Sequence, residues 1–271
     1  MKTSKLTVVK IGGSVLERAP AGEAVLDHVA RAWRDGDEIL VVHGGGAELS
    51  RWLGRLGIAT RFVDGQRVTT AEILQVALMV LGGLVNRRVV EALVRRDCPA
   101  VGLTGADGAG SLALPVEDGL GAVGRIVSIN APFYLDLLAA RRVPVVASLA
   151  WGPEHGWLNV NADLMAAGLA AGLRARRLVL MTDVDGVLDE TGSIIPVLDV
   201  EALQALIERG AARDGMIPKL RACRQALEGR VPEIVIAPDF PGAPGVAAGT
   251  RVVAGTARVP APRGATMRGD G

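Results

Sequence analysis

The sequence predicts an α/β protein in which a mainly parallel sheet is covered by helices on both faces. Three observations point there. Short apolar runs alternate with helical patterns along most of the chain. Those runs are apolar throughout rather than at every second residue, as in strands buried on both faces. The first two also end in glycine clusters that lead into helical patterns, the strand–turn–helix order of a parallel sheet.

Leu6 to Ile11 reads as the first strand and stops at Gly12 and Gly13. Val25, Val29 and Trp33 then recur at helical spacing. Glu38 to His43 is the second strand, ending at Gly44, Gly45 and Gly46, and helix resumes through Leu53 and Leu56. Thr70 to Arg96 is a long helical pattern, with an interruption expected at Gly82 and Gly83. Ala100–Leu103 and Val143–Ser148 read as buried strands, and residues 111 to 128 as Gly-rich hairpins. Asn161 to Leu173 is an Ala/Leu-rich helix followed by the strand Arg177–Thr182. Helical patterns surround 201–209 and 216–228, and Glu233–Ala237 is a late strand. The division expected is soft: a front half 1–172, a back half 173–255, and a Pro/Gly/Ala/Arg tail 256–271 with too little apolar surface to order itself.

Composition removes several function classes. Across 271 residues, 30 basic and 29 acidic side chains leave a formal net charge of +1, so no global field favours nucleic acid or an anionic membrane. Two cysteines, Cys98 and Cys223, cannot form a disulfide framework, and three histidines without a Cys-x-x-Cys argue against structural zinc. No unbroken apolar run approaches the roughly 18 residues of a membrane span, and the N-terminal run is broken at Lys10, so a cytoplasmic protein is expected.

The cations are uneven: 26 arginines against four lysines, Lys2, Lys5, Lys10 and Lys219. The last two sit inside glycine-containing motifs, KIGGS and DGMIPK. A compact ammonium grips a small anion as a point charge, which a planar guanidinium cannot reproduce. Both glycine clusters fall at the carboxyl edge of the sheet, where backbone can approach a phosphate and helix N-termini offer free N–H groups. Lys219 at a helix start opposes the dipole, a placement easier to explain with an anion nearby. No Walker A loop and no dinucleotide fingerprint exist in the chain. TDVDGVLD (182–189) alone resembles the first motif of haloacid-dehalogenase phosphatases, but it begins two-thirds of the way along and no late acidic pair follows it. NVNAD (159–163) holds two of the four asparagines; Asn161 or Asp163 reads as a helix cap, and Asn159 is left over for a polar ligand. Arg67, in a polar connection before the long helix, is a candidate carboxylate clamp.

In this order, KIGGS, HGGG, the stretch from VDGQRVT to NRRVVEAL, GLTGADG, NVNADLMA, LMTDVDGVLD, DGMIPK and GTRVV resemble the amino-acid kinase family, from about Leu6 to about Ala254. The resemblance implies an open three-layer αβα sandwich and transfer of phosphoryl from ATP, with Mg2+ carried mainly by the nucleotide. The acceptor it implies is the γ-carboxylate of N-acetyl-L-glutamate, as in arginine biosynthesis; aminoadipate or glutamate on a carrier protein is the alternative. It assigns Lys10 and Lys219 to the transferring phosphoryl group and Asp163 to their orientation. Gly45, Gly46, Arg67, Asn159 and Asn161 fall to the acceptor. Gly12, Gly13, the loop Thr182, Asp183, Val184, Asp185, Gly186, Val187 and Leu188, and Ala211, Ala212 and Arg213 fall to ATP. No direct metal ligand is expected. The family also implies a homodimer paired through helices such as that around Ala71 to Leu93. Met1–Lys5 is too short for the N-terminal helix of arginine-inhibited members, so insensitivity to arginine is expected.

Overall fold

The computed structural model describes residues 5–13, 21–63, 65–116, 119–209, 216–240 and 249–255. In chain order its strands are β1 (Leu6–Ile11), β2 (Glu38–His43), β3 (Phe62–Val63), β4 (Gln66–Arg67), β5 (Ala100–Leu103), β6 (Ser111–Pro115), β7 (Val123–Ile129), β8 (Val143–Ala147), β9 (Leu149–Gly152), β10 (Gly156–Val160), β11 (Arg177–Met181), β12 (Val197–Asp199), β13 (Glu233–Ala237) and β14 (Thr250–Val253). The helices are α1 (Ala21–Arg34), α2 (Gly46–Arg55), α3 (Ala71–Val94), α4 (Ala131–Ala139), α5 (Ala162–Gly172), α6 (Val200–Arg209) and α7 (Met216–Glu228).

Eight strands form one sheet in the order β12-β14-β13-β11-β1-β2-β8-β5. Every neighbouring pair is parallel except β13 with β14. A small closed ring, β10-β7-β6-β9, and the two-residue hairpin β3–β4 stand apart from it. The period of two in β1 and β2 divides the core. Leu6, Val8, Leu40 and Val42 join the cluster beneath α5 and α7, while Val9, Ile11, Ile39 and Val41 join the one beneath α1 and the end of α3. Burying each such side chain contributes about 1.5–3 kcal/mol. The cysteines fall one to each face, both fully buried: Cys223 among the first cluster and Cys98 among the second. Burial pushes the Cys98 thiol up to about 11 and raises that of Cys223 as well.

Helix α3 departs from expectation. It is not interrupted at Gly82 and Gly83; Leu78–Val85 winds as π-helix and the chain continues helically to Val94. Thr70 caps its start, accepting from the Ile73 N–H at 3.2 Å. By length and composition alone this helix is apolar enough to cross a membrane, although no single run in the sequence is. Its Ile73, Val76, Val80, Leu81 and Val85 pack with Leu49 and Leu53 of α2 and Leu149 of β9, and Met79 is left 63% exposed.

Several elements were not foreseen: α4, the β9–β10 pair, β12, β14 and the β3–β4 hairpin. The last replaces the polar connection expected around Arg67. Ala211, Ala212, Arg213 and the tail 256–271 lie outside the described residues.

Candidate active site

Strand alternation brings the rare lysines together. Lys10 shares a face of β1 with Leu6 and Val8, and that face looks toward α5 and α7. Helix α5 presents Asp163 in its first turn and α7 presents Lys219 in its first turn. Lys10 Nζ lies 2.9 Å from Asp163 Oδ1, an ion pair, and Lys219 Nζ donates to Asp163 Oδ2 at 3.4 Å. Lys10 and Asp163 are both more than nine-tenths buried. Burial lowers the Lys10 pKa, Asp163 pulls the other way, and Lys219 adds to the lowering. Burial alone would raise the Asp163 carboxyl, but the two ammonium groups outweigh it and hold the carboxyl below its ordinary 3.8. Two cations sharing one carboxylate leave an excess positive charge in a dry place, which an anion would neutralise.

That place opens on a cavity of about 230 Å³ walled by both glycine turns, the β3–β4 hairpin and the start of α5; Gly13, Gly45, Gly46, Arg67, Asn159 and Asn161 all line it. The turns touch: a Cβ on Gly13 would stand 3.1 Å from the Gly45 Cα. Gly45 caps α2 with φ +152, and a Cβ there would meet Leu81 of α3 at 2.8 Å, so only glycine fits. The first intrahelical bond runs from Leu49 N–H to the Gly45 carbonyl, leaving the N–H groups of the first turn without helical partners.

Arg67 is buried on the far wall. Nη2 donates to Ser50 Oγ at 2.6 Å and to the Gly46 carbonyl at 3.2 Å, and the Phe62 ring covers the guanidinium at 4.6 Å. Burial lowers its pKa, from so high a value that the group stays charged. Nη1 is buried and has no hydrogen-bond partner. Asn159 is steered by a bond from Nδ2 to Thr69 Oγ1 at 3.1 Å. Asn161 caps α5, accepting from the Asp163 and Leu164 N–H groups, so its oxygen is already engaged while the residue still borders the cavity.

The remaining expected residues lie outside the cavity. Gly12 and the stretch Thr182 to Leu188 follow β1 and β11, adjacent parallel strands, so both leave the same carboxyl edge of the sheet. Thr182 and Val187 are buried, whereas Asp183, Val184, Asp185 and Leu188 are exposed. Gly186, at φ +156, lies against Thr250, whose Oγ1 accepts from the Val187 N–H at 2.8 Å and donates to the Ile195 carbonyl at 2.7 Å. Sequence reasoning missed Phe62, Ser50 and Ser148 as neighbours of the cavity or of Arg67. Only Phe62 carried a local signal, beside the VDGQRVT stretch.

Known proteins resemble this chain in sequence and in fold. The sequence profile of the amino acid kinase family matches residues 5–238. Acetylglutamate kinase of Koribacter versatilis (strain Ellin345) is 44% identical over 85% of this chain and 89% of its own, and the protein of that name from Methanopyrus kandleri is 42% identical over 85% and 94%. The crystal structure of smu.665 from Streptococcus mutans UA159 superposes with a TM-score of 0.84 at 26% identity, covering 93% of this chain and 99% of that one. From matches that span nearly the whole of both partners, the chain belongs to the amino acid kinase family.

Proposed function

We propose that the protein transfers the γ-phosphoryl group of ATP to the γ-carboxylate of N-acetyl-L-glutamate, giving N-acetyl-L-glutamyl 5-phosphate. The observation that carries this is the buried Lys10–Asp163–Lys219 cluster at a cavity whose opposite wall offers the unpartnered Nη1 of Arg67. A molecule with carboxylates at two ends meets a cation at each. The names of the relatives point to the same acceptor.

The reacting carboxylate is already ionised near neutral pH, so no general base is required. His28 and His155 are not among the cavity's lining residues, and neither is His43. The work left is positioning and neutralising charge on the phosphoryl group in flight. Arg67, with Asn159 and Asn161, fixes the acceptor; the Gly13, Gly45 and Gly46 backbone and the two lysines receive the phosphoryl oxygens; Asp163 orients both lysines through its two carboxylate oxygens. The nucleotide is placed on the outer shelf formed by Gly12 and Thr182 to Leu188. No group of three or more His, Cys, Asp and Glu among the described residues could hold a metal ion. Mg2+ is assigned to the ATP phosphates, where it would supply further positive charge.

On this reading 1–172 is the acceptor half and 173–255 the nucleotide half. The chain acts in the cytoplasm as a homodimer paired through α3, whose exposed Met79 suits an apolar interface. The test is an ATP- and Mg2+-dependent assay that traps the acyl phosphate with hydroxylamine. N-acetyl-L-glutamate should support turnover and carrier-linked aminoadipate should not; the reverse would reassign the acceptor.

A further inference from the structure

His43 closes β2 and is completely buried, on the face of the sheet opposite Lys10. Its ring touches two groups. Nδ1 lies 2.8 Å from the carbonyl oxygen of Gly44, and Nε2 lies 3.0 Å from Nδ2 of Asn86. The neighbours of Asn86 settle which nitrogen carries the proton. Asn86 Nδ2 also donates to the Val145 carbonyl at 2.9 Å, and Asn86 Oδ1 accepts from Arg87 Nη2. The side of Asn86 facing His43 is therefore its NH₂, so Nε2 must accept. The proton is left on Nδ1, which donates to the Gly44 oxygen.

That bond acts on the Gly44–Gly45 peptide. Across a trans peptide the C=O of Gly44 and the N–H of Gly45 point in opposite directions. With glycine on both sides, rotating this peptide plane meets no Cβ barrier. Drawing the carbonyl toward the His43 face turns the Gly45 N–H toward the Lys10 face, where the cavity lies. In the flipped plane a carbonyl oxygen would confront the arriving phosphoryl group instead.

We propose that His43, kept as its neutral Nδ1–H tautomer by Asn86, is a positioning residue that locks the Gly44–Gly45 peptide with its N–H as a donor for the transferring phosphoryl group. The π-helical stretch of α3 supplies the frame: Leu81 and Val85 press on Gly45, and the next residue is Asn86. Burial, with Arg87 nearby, lowers the His43 pKa to about 4, so the ring stays neutral at working pH. Arg87 is the charged group that faces the ring, by way of Asn86.

The role in transfer rests on the proposed function; the tautomer does not, and the test uses both. Long-range 1H–15N correlation on the full-length protein without substrate should show His43 protonated at Nδ1 only, unchanged from pH 6 to 9. An Nε2–H form, or titration near the ordinary 6.5, overturns the proposal whatever the substrate. In turnover, His43→Ala should lower kcat by about 10²-fold, the effect of a displaced catalytic group, and leave both KM values within about threefold. His43→Asn, whose amide N–H falls near Nδ1, should recover about tenfold of that, and His43→Gln, whose amide falls near Nε2, should not. Equal activity in His43→Asn and His43→Gln, or wild-type kcat in His43→Ala, overturns the lock. Absence of wild-type turnover with N-acetyl-L-glutamate rejects the proposed acceptor and leaves the NMR result to decide the lock.

Discussion

The cavity proposed for the acceptor and the shelf proposed for the nucleotide leave the same edge of one sheet, yet they are built differently. Around the cavity Lys10, Arg67 and Asp163 are buried, Asn159 is half-buried, and each is held: Asp163 between two lysines, Arg67 by Ser50 and the Gly46 carbonyl, Asn159 by Thr69. On the shelf, Asp183, Val184, Asp185 and Leu188 face solvent, and the loop is tied by the Ile195 N–H to the Val187 carbonyl and by the Thr250 hydroxyl, which bridges the Val187 N–H and the Ile195 carbonyl. A small dianionic acceptor has few atoms by which to be recognised, so its site must be organised in advance. A nucleotide offers a large surface and can be gripped by a loop that adapts.

Breaking the buried side should cost most. Lys10→Ala or Lys219→Ala should each lower kcat by about 10²–10³-fold, as for loss of one preorganised donor. Lys10→Arg should also be poor, since the fork cannot occupy a point-charge site. Steady-state kinetics with near-normal kcat in Lys219→Ala would remove that lysine from the mechanism.

Asp163→Ala strands two neighbouring ammonium groups and should destabilise the fold by about 3–5 kcal/mol, read as a lower urea midpoint. The same residue predicts a pH signature. Its carboxyl sits below the ordinary 3.8 when folded, so its stabilising contribution is complete above that value and is lost as pH falls through the lower folded one. The acid limb of stability should be shallower in Asp163→Asn than in wild type; identical limbs would show that the ion pairs do not depress the carboxyl.

Arg67→Ala should raise KM for N-acetyl-L-glutamate by about 10–100-fold, the worth of a charged hydrogen bond of about 1.5–3 kcal/mol. KM for ATP should hardly change. A rise in KM for ATP alone would place Arg67 on the wrong side of the comparison. The smallest effect belongs to the shelf: Thr250→Val leaves the Val187 N–H unsatisfied and should raise KM for ATP about 5–10-fold, the low end of the penalty of about 1–3 kcal/mol for such a group. Loss of acceptor binding in that variant would mean that the two regions are one rigid unit.

The sheet was legible where hydrophobic patterning is strong. β1, β2, β5 and β13 fall where the sequence puts them, because strands covered by helices on both faces read as runs of mostly apolar residues; β5, at the sheet edge, keeps the pattern although only its Leu103 is buried. The patterning fails where tertiary contacts decide. Gly82 and Gly83 read as a break, but packing of Leu81 and Val85 keeps the helix and leaves its trace as a π-helical stretch. α4 (APFYLDLLA) has little polar face to give it a helical period, and β12, at 3 residues, is too short to show a strand pattern. In the site, Lys10 and Lys219 stood out through rarity, which is a property of the sequence. The stacking of Phe62 on Arg67 and the grip of Ser50 are properties of the fold alone.

The two buried thiols lie on opposite faces of the sheet, one beneath each layer of helices. Alkylation requires an accessible thiolate, which burial denies to both in the native state. Reaction at Cys98 therefore reports opening of the layer built on α1 and the end of α3, and reaction at Cys223 reports opening of the layer built on α5 and α7. The protein carries two internal clocks for local unfolding, one per layer, without any engineered label. Saturating ATP or acceptor should slow each to a different extent, timing which layer every ligand holds shut.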